Sequence, residues 1–245
     1  MNETQRVAIV TGGSRGIGRE TVSRLAADGF ALVVVYAGRS ADADAAVEEV
    51  TAKGGRAIAV QADIADEQAV AGVFDRAEQE FGGVDVVVNA AGVMNPPTPL
   101  VELSLDEFDR IHRTNVRGAF VVSQQAARRL RRGGAIVNFS STVTRLRAPG
   151  YTAYGASKGA VETMTLVLAR ELRGRDVTVN AVAPGPTATA LFLDANTQES
   201  IDRLAAAPPL ERLGQPQDIA EVVAFLAGPA RWVNGQVLYA NGGIA

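Results

Sequence analysis

An α/β fold, a parallel sheet covered by helices on both faces, is predicted by three observations on this sequence. Short β-branched runs alternate with amphipathic stretches along the whole chain. Most of the runs are apolar throughout instead of alternating apolar with polar, as suits strands buried on both faces. The chain has 245 residues, 47% of them hydrophobic, with no linker, repeat or low-complexity tract, which fits one large domain over residues 1–245.

The strand-like runs are RVAIVT (6–11), ALVVVY (31–36), AIAVQ (57–61), VDVVVN (84–89), GAIVNFS (134–140), DVTVNAV (176–182) and QVLYA (236–240). Helical periodicity falls at 16–28, 41–53, 66–81, 104–131, 152–174 and 216–228. Strand–helix–strand order implies right-handed crossovers. The proline-rich stretch 184–215, with a short helical patch at 199–206, is long enough to act as a lid.

Composition narrows the chemistry. A formal net charge of −3, with 24 basic residues and no continuous basic patch, argues against nucleic acid or an acidic membrane as a partner. The RRLRR run at 128–132 reads as helix-end arginines facing a C-terminal dipole. With no cysteine and a single histidine, His112, the chain offers no metal-ligand set, no thiolate nucleophile and no disulfide. His112 reads as part of a structural helix face. The N-terminal MNETQRVAIV runs straight into a strand, and no apolar run approaches ~18 residues, so the expected compartment is the cytosol.

The stretch TGGSRGIG (11–18) joins the first strand to the first helix, with Gly12, Gly16 and Gly18 spaced G-x-x-x-G-x-G. Glycine lets the backbone turn tightly against a pyrophosphate, and the helix N-terminus offers free N–H groups to phosphate. A site selective for NAD usually places an acid after the second strand. Here YAGRS (36–40) carries Arg39 instead, no acid precedes Asp42, and Arg15 adds a cation in the glycine turn. A 2′-phosphate suits these arginines, so NADP(H) is favoured over NAD(H). Asp63, in ADIAD, reads either as an acceptor for an adenine amino group or as the N-cap of the next helix.

Together TGGSRGIG, NAAG (89–92), Asn115 in RTNVRG, Ser141 in NFSST, YGASK (154–158), PGPTAT (184–189) and NGQVLYANGG (234–243) closely resemble the short-chain dehydrogenase/reductase family. They stand in the family's order and span nearly the whole chain; NAAG in place of Asn-Asn-Ala-Gly is a slight departure. The resemblance implies a Rossmann-like, doubly wound seven-stranded parallel sheet and hydride transfer between a nicotinamide and a carbonyl or secondary alcohol. It makes Tyr154 the general acid/base, with Lys158, Ser141 and Asn115 completing the set. The implied dinucleotide crevice comprises Gly12, Ser14, Arg15, Gly16, Ile17 and Gly18, then Tyr36 and Arg39, then Ala62, Asp63 and Ile64. Asn89, Ala90, Ala91 and Gly92 follow, with Tyr154 and Lys158, and Pro184, Gly185, Thr187 and Thr189 close it. A homotetramer, or a dimer, is the implied assembly, with interfaces from the helix at 152–174 and the last strand. Resemblance to 3-oxoacyl-carrier-protein reductases makes an acyl-carrier protein a possible partner, with Arg132 and Arg175 at its docking positions.

The Tyr154/Lys158 pair makes chemical sense. Residues i and i+4 share a helix face. An ammonium ~4 Å from a phenol is worth ~4 kcal/mol at an effective dielectric of ~20, so the expectation is a phenol shifted down from ~10 towards working pH, against the opposing effect of burial. Ser141, at a strand's carboxyl end, is expected to hold a substrate oxygen against Tyr154, and Asn115 to tie a water to Lys158. Thr189 is expected on pyrophosphate or carboxamide, with Thr187 as the fallback. Segments 93–97 and 142–151 and a lid over about 186–210 are the expected pocket walls. Leu191, Phe192 and Leu193 give the lid an apolar face that suits either a mainly hydrophobic substrate or simple closure over the nicotinamide; the expected partner is a small-molecule carbonyl or alcohol. Arg145 and Arg147 read as solvent-facing in preference to acid-binding. A non-catalytic nucleotide sensor on this fold would show a broken catalytic set, whereas all four positions are intact. A nucleotide-sugar epimerase would need a further substrate domain.

Overall fold

The computed structural model describes residues 5–245. Its centre is a seven-stranded parallel sheet in the order β3-β2-β1-β4-β5-β6-β7. The strands are β1 (Val7–Thr11), β2 (Ala31–Tyr36), β3 (Ala57–Gln61), β4 (Val84–Asn89), β5 (Leu130–Phe139), β6 (Thr178–Pro184) and β7 (Val237–Ala240). The uniformly apolar runs are explained by the two cores they feed. Ala8 and Val10 of β1 and Leu32 and Val34 of β2 enter one core, while Ile9, Val33 and Val35 enter the other. Each fully buried Val, Leu or Ile contributes about 1.5–3 kcal/mol.

The first core lies under α1 (Gly16–Ala27), α2 (Ser40–Ala52) and α10 (Pro216–Ala227). The second lies under α3 (Glu67–Phe81), α5 (Ala119–Arg129) and α7 (Thr152–Glu171). Between them in the chain come α4 (Leu105–His112), the short α6 (Val143–Leu146), α8 (Ala190–Leu193) and α9 (Gln198–Ala206). Strand order reverses between β1 and β4, which pair as far as Thr11 and Asn89. Their carboxyl ends open the crevice in which sheets of this kind take ligands.

The expected single helix at 104–131 is corrected. It divides into α4, a π-helical turn at Arg113–Gly118 and α5, and the chain is already extended at Leu130. The glycines explain the early strand start. Leu130 pairs with Val84 and regular register resumes only at Ala135 with Val86, so 131–134 form a bulge with Gly133 at φ +80°. The stretch 184–215 holds α8 and α9, the second of which coincides with the expected patch. No helix among the described residues is long and apolar enough to cross a membrane.

Candidate active site

The turn from β1 into α1 is built by its glycines. Gly12 and Gly16 take φ of +66° and +54°, in the left-handed region. A Cβ on Gly12 would lie 2.9 Å from Ala91 Cα, so the turn rests directly on the NAAG segment. A Cβ on Gly18 would strike the Gly12 carbonyl, whose carbon would be only 2.8 Å away. Helix α1 then starts after Arg15 with no side-chain cap. Its first N–H groups are left for an anion, which is the donor set a pyrophosphate needs.

The flanks of this cradle carry the charges that the sequence singled out. Arg15 Nε lies 3.8 Å, and Arg39 Nε 3.3 Å, from one carboxylate oxygen of Asp42. Both guanidinium groups are well exposed. Tyr36 ends β2, and its carbonyl accepts from Ala62 N. Ser14, Ala62 and Ile64 are buried beneath the cradle. The N-cap reading of Asp63 is corrected, because Asp66 caps α3 by accepting from Ala69 N at 2.8 Å. Asp63 instead accepts from Ala65 N and pairs with Arg113 at 2.7 Å. Burial works to raise its carboxyl, but these two partners outweigh it and hold it below the usual range.

A cavity of about 210 Å³ opens beside the turn. It is lined by Ile17 from α1, Ala90 and Gly92 after β4, Ser141 after β5, and Tyr154 and Lys158 from α7. Pro184, Gly185, Thr187 and Thr189 close it from the loop after β6. A larger groove of about 820 Å³ crosses the outer face over Asp106, Arg113 and Phe120, and holds none of the four expected catalytic groups. Thr189 stands against the glycine turn, its Cγ2 3.4 Å from where a Gly16 Cβ would be, and its hydroxyl caps α8. The Thr187 hydroxyl donates to Gly185 O at 2.9 Å.

Tyr154 and Lys158 face this cavity from one side of α7, and small residues flank them as the YGASK motif requires. Lys158 Nζ donates to Phe139 O at 2.9 Å and lies 5.6 Å from the Tyr154 ring centre. Asn115 sits on the π turn. Its amide donates to Val93 O at 2.8 Å and Ser157 Oγ at 3.1 Å, and its Oδ1 accepts from Val93 N at 2.8 Å. A Cβ on Gly92 would be 3.3 Å from Asn115 Oδ1 and 3.5 Å from Lys158 Nζ, so glycine leaves the space between these groups clear. The Asn89 side chain turns away into a buried network with Ser123 and Asn138, where it ties β4 to β5 and α5.

The expected lowering of the phenol is corrected. Burial pushes Tyr154 up to about 12, and the Ser141 hydroxyl only partly opposes it. Burial also brings Lys158 down, from 10.5 to about 8. At neutral pH the pair is a phenol and an ammonium. Linkage fixes the sign of the lysine's effect on stability. The unfolded lysine keeps its proton to about 10.5 while the folded one loses it near 8, so stability rises with pH across that window and the cost of burial is fully present below it. Urea midpoints at about pH 8 and about pH 10 should show this rise, and Lys158→Met should flatten it.

Some groups take places that the sequence did not indicate. Arg145 stacks on the Tyr239 ring at 3.7 Å, and neither it nor Arg147 lines the cavity. Arg132 and Arg175 lie near the starts of β5 and β6, at the end of the sheet away from Ser141. They donate to Gly174 O, and to Ala127 O and Leu130 O, respectively. His112 is half-buried and stacks on Phe108. Glu162 of α7, which sequence reasoning missed, accepts from Ser140 Oγ beside Ser141. Its only sequence signal is its place one helical turn beyond Lys158.

A doubly wound parallel sheet, a glycine turn at the first strand end and a Ser-Tyr-Lys cavity at the strand ends define a dinucleotide-dependent oxidoreductase. The chain belongs to the short-chain dehydrogenase/reductase family. A family model described as enoyl-(acyl carrier protein) reductase matches residues 12–245. The chain is 44% identical to an NADPH-dependent aldehyde reductase-like protein, chloroplastic, of Arabidopsis thaliana, over 97% of this chain and 93% of that one. It is 41% identical to a 3-oxoacyl-[acyl-carrier-protein] reductase of Staphylococcus aureus, over 97% of each chain. A short chain dehydrogenase from Burkholderia cenocepacia, solved in complex with NADP, superposes with a TM-score of 0.92 at 41% identity, over 99% of both chains.

Proposed function

We propose that the protein reduces apolar aldehydes or ketones with NADPH, Tyr154 serving as the proton donor. The observation that carries this reading is the convergence of Tyr154, Lys158 and Ser141 on one cavity, with Ile17, which stands between the last two glycines of the turn, in the same lining. A nicotinamide held there would supply hydride to the carbonyl carbon. Tyr154, kept protonated by burial, is in the state that reduction requires and gives its proton to the carbonyl oxygen. Ser141 donates a hydrogen bond to the same oxygen and fixes it against the phenol. Lys158 binds the ribose hydroxyls with its ammonium. Both amide hydrogens of Asn115 are engaged, so its part in holding a water beside Lys158 falls to the free lone pair of Oδ1.

Preference for NADPH is supported by Arg15 and Arg39 and by the cofactors named for the Arabidopsis and Burkholderia relatives. Asp42 holds the two guanidinium groups on one side of the cradle. Replacing both arginines by alanine should weaken NADPH binding by about 10- to 100-fold. A fluorescence titration should show NADH binding nearly unchanged.

The substrate wall is apolar. Val93, Met94, Val143, Leu146 and Tyr151 face Leu191, Phe192 and Leu204 across the cavity. The last three belong to the proposed lid over about 186–210. A panel of benzaldehyde, hexanal and cyclohexanone, followed by NADPH absorbance, tests the reading. No turnover of any of them, with NADPH binding intact, would overturn it. The second reading is a 3-oxoacyl group carried on an acyl-carrier protein, favoured by the Staphylococcus relative. The engagement of Arg132 and Arg175 with backbone carbonyls weighs against it, and a higher kcat/KM for acetoacetyl-carrier protein than for the free carbonyls would establish it.

A homotetramer, or a dimer, belongs to the same proposal. Phe120 on α5, Leu166 and Val167 on α7 and the fully exposed Trp232 before β7 present apolar surface that an interface would bury. Sedimentation should show no appreciable monomer.

A further inference from the structure

Helix α7 holds the end of β5 through Thr165, which accepts from Asn138 Nδ2, and at two further points one helical turn apart. Lys158 donates to Phe139 O, and Glu162 accepts from Ser140 Oγ at 2.6 Å. The same carboxylate oxygen of Glu162 lies 2.9 Å from Thr144 Oγ1 and 3.2 Å from Tyr239 Oη. Three hydroxyls, from the β5 end, α6 and β7, therefore converge on one oxygen. Bonds of this kind to an ionised acceptor are shorter and stronger than neutral ones.

Ser140 and Thr144 bracket Ser141. Thr144 also donates its N–H to the Ser141 carbonyl at 3.2 Å. Glu162 itself does not line the cavity. Its bonds tie the Ser141 turn to the helix that carries Tyr154 eight residues earlier. Besides that tie, the β5 end is anchored to α7 by Lys158 on the Phe139 carbonyl and by Asn138, whose amide donates to Thr165 Oγ1 at 2.9 Å. Neither bond reaches past Phe139 to the Ser141 turn.

We propose that Glu162 is a positioning residue, setting the distance between the Ser141 hydroxyl and the Tyr154 phenol by clamping Ser140 and Thr144 to α7. This rests on Tyr154 and Ser141 acting as described under the proposed function. Loss of a positioning contact costs rate far more than cofactor affinity.

The test is a double-mutant cycle on the full-length protein, with whichever carbonyl of the panel is turned over fastest. Glu162→Ala should lower kcat by about 10- to 100-fold. NADPH affinity, read by fluorescence titration without turnover, should stay within about twofold of wild type. Glu162→Gln keeps a carbonyl acceptor in place and should recover most of the loss. In a Ser141→Ala background, Glu162→Ala should cost no more than about threefold further, because it acts through the group already removed. Ser140→Ala, which cuts the shortest tie with little change in volume, should behave the same way if Glu162→Ala folds poorly. Losses that multiply in the double variant, or NADPH affinity falling in step with kcat, would overturn the proposal. Tyr154→Phe separates the two ideas. If it stays active, the proton-donor reading fails, whereas if it is inactive while the cycle is additive, only the clamp fails.

Discussion

Replacing Tyr154 with Phe should lower kcat by about a thousandfold or more and leave NADPH affinity within about twofold of wild type. The substitution removes only the hydroxyl from a ring held in place by α7. The cavity keeps its shape, Lys158 keeps its bond to Phe139 O, and Ser141 still reaches the carbonyl. What is lost is the proton that must arrive as hydride leaves. Because burial raises the phenol above its ordinary value, the wild-type protein should keep this proton available throughout the neutral range. Stopped-flow binding combined with steady-state rates checks both parts. Wild-type turnover in the variant would remove Tyr154 from the chemistry.

Gly18→Ala is the second substitution with a large expected effect. Its methyl group would meet backbone, the Gly12 carbonyl, and not a side chain that can swing aside. Relief requires the turn itself to move, and the turn is the surface against which the pyrophosphate is expected to lie. NADPH binding should weaken by about a hundredfold, and the thermal midpoint should fall with it. Gly72→Ala in α3 is the matched control, since a Cβ there meets nothing within 4 Å. It should leave binding unchanged and add about 0.5–1 kcal/mol of stability. Equal loss of NADPH affinity in both variants would show that the Gly18 effect is not steric.

The fold was legible because strands buried on both faces need apolar residues at successive positions, and α/β order leaves few alternatives for arranging them. Val33 and Val34 are adjacent in sequence and feed opposite cores, which is why no alternation marks the β2 run. The 113–118 turn was not legible, since a π turn preserves helical composition and shifts only the hydrogen-bond partner. Nor was the sign of the Tyr154 shift, which depends on how far the fold buries the phenol. Glu162 shows the general difficulty. An acid on a helix reads as a solvated face, and the three hydroxyls that occupy it lie 22, 18 and 77 positions away in the chain.

The π turn makes chain length a constrained quantity between α4 and α5. An α-helix advances about 100° per residue, so deleting one residue from 113–118 would restore ordinary pairing yet rotate one flanking helix against the other by that amount. Asn115 would swing off Val93 and Ser157, or the apolar side of α5 would leave the sheet. This stretch therefore fixes the rotational phase between a surface helix and a core helix, and even a one-residue insertion or deletion there should be less tolerated than any single substitution.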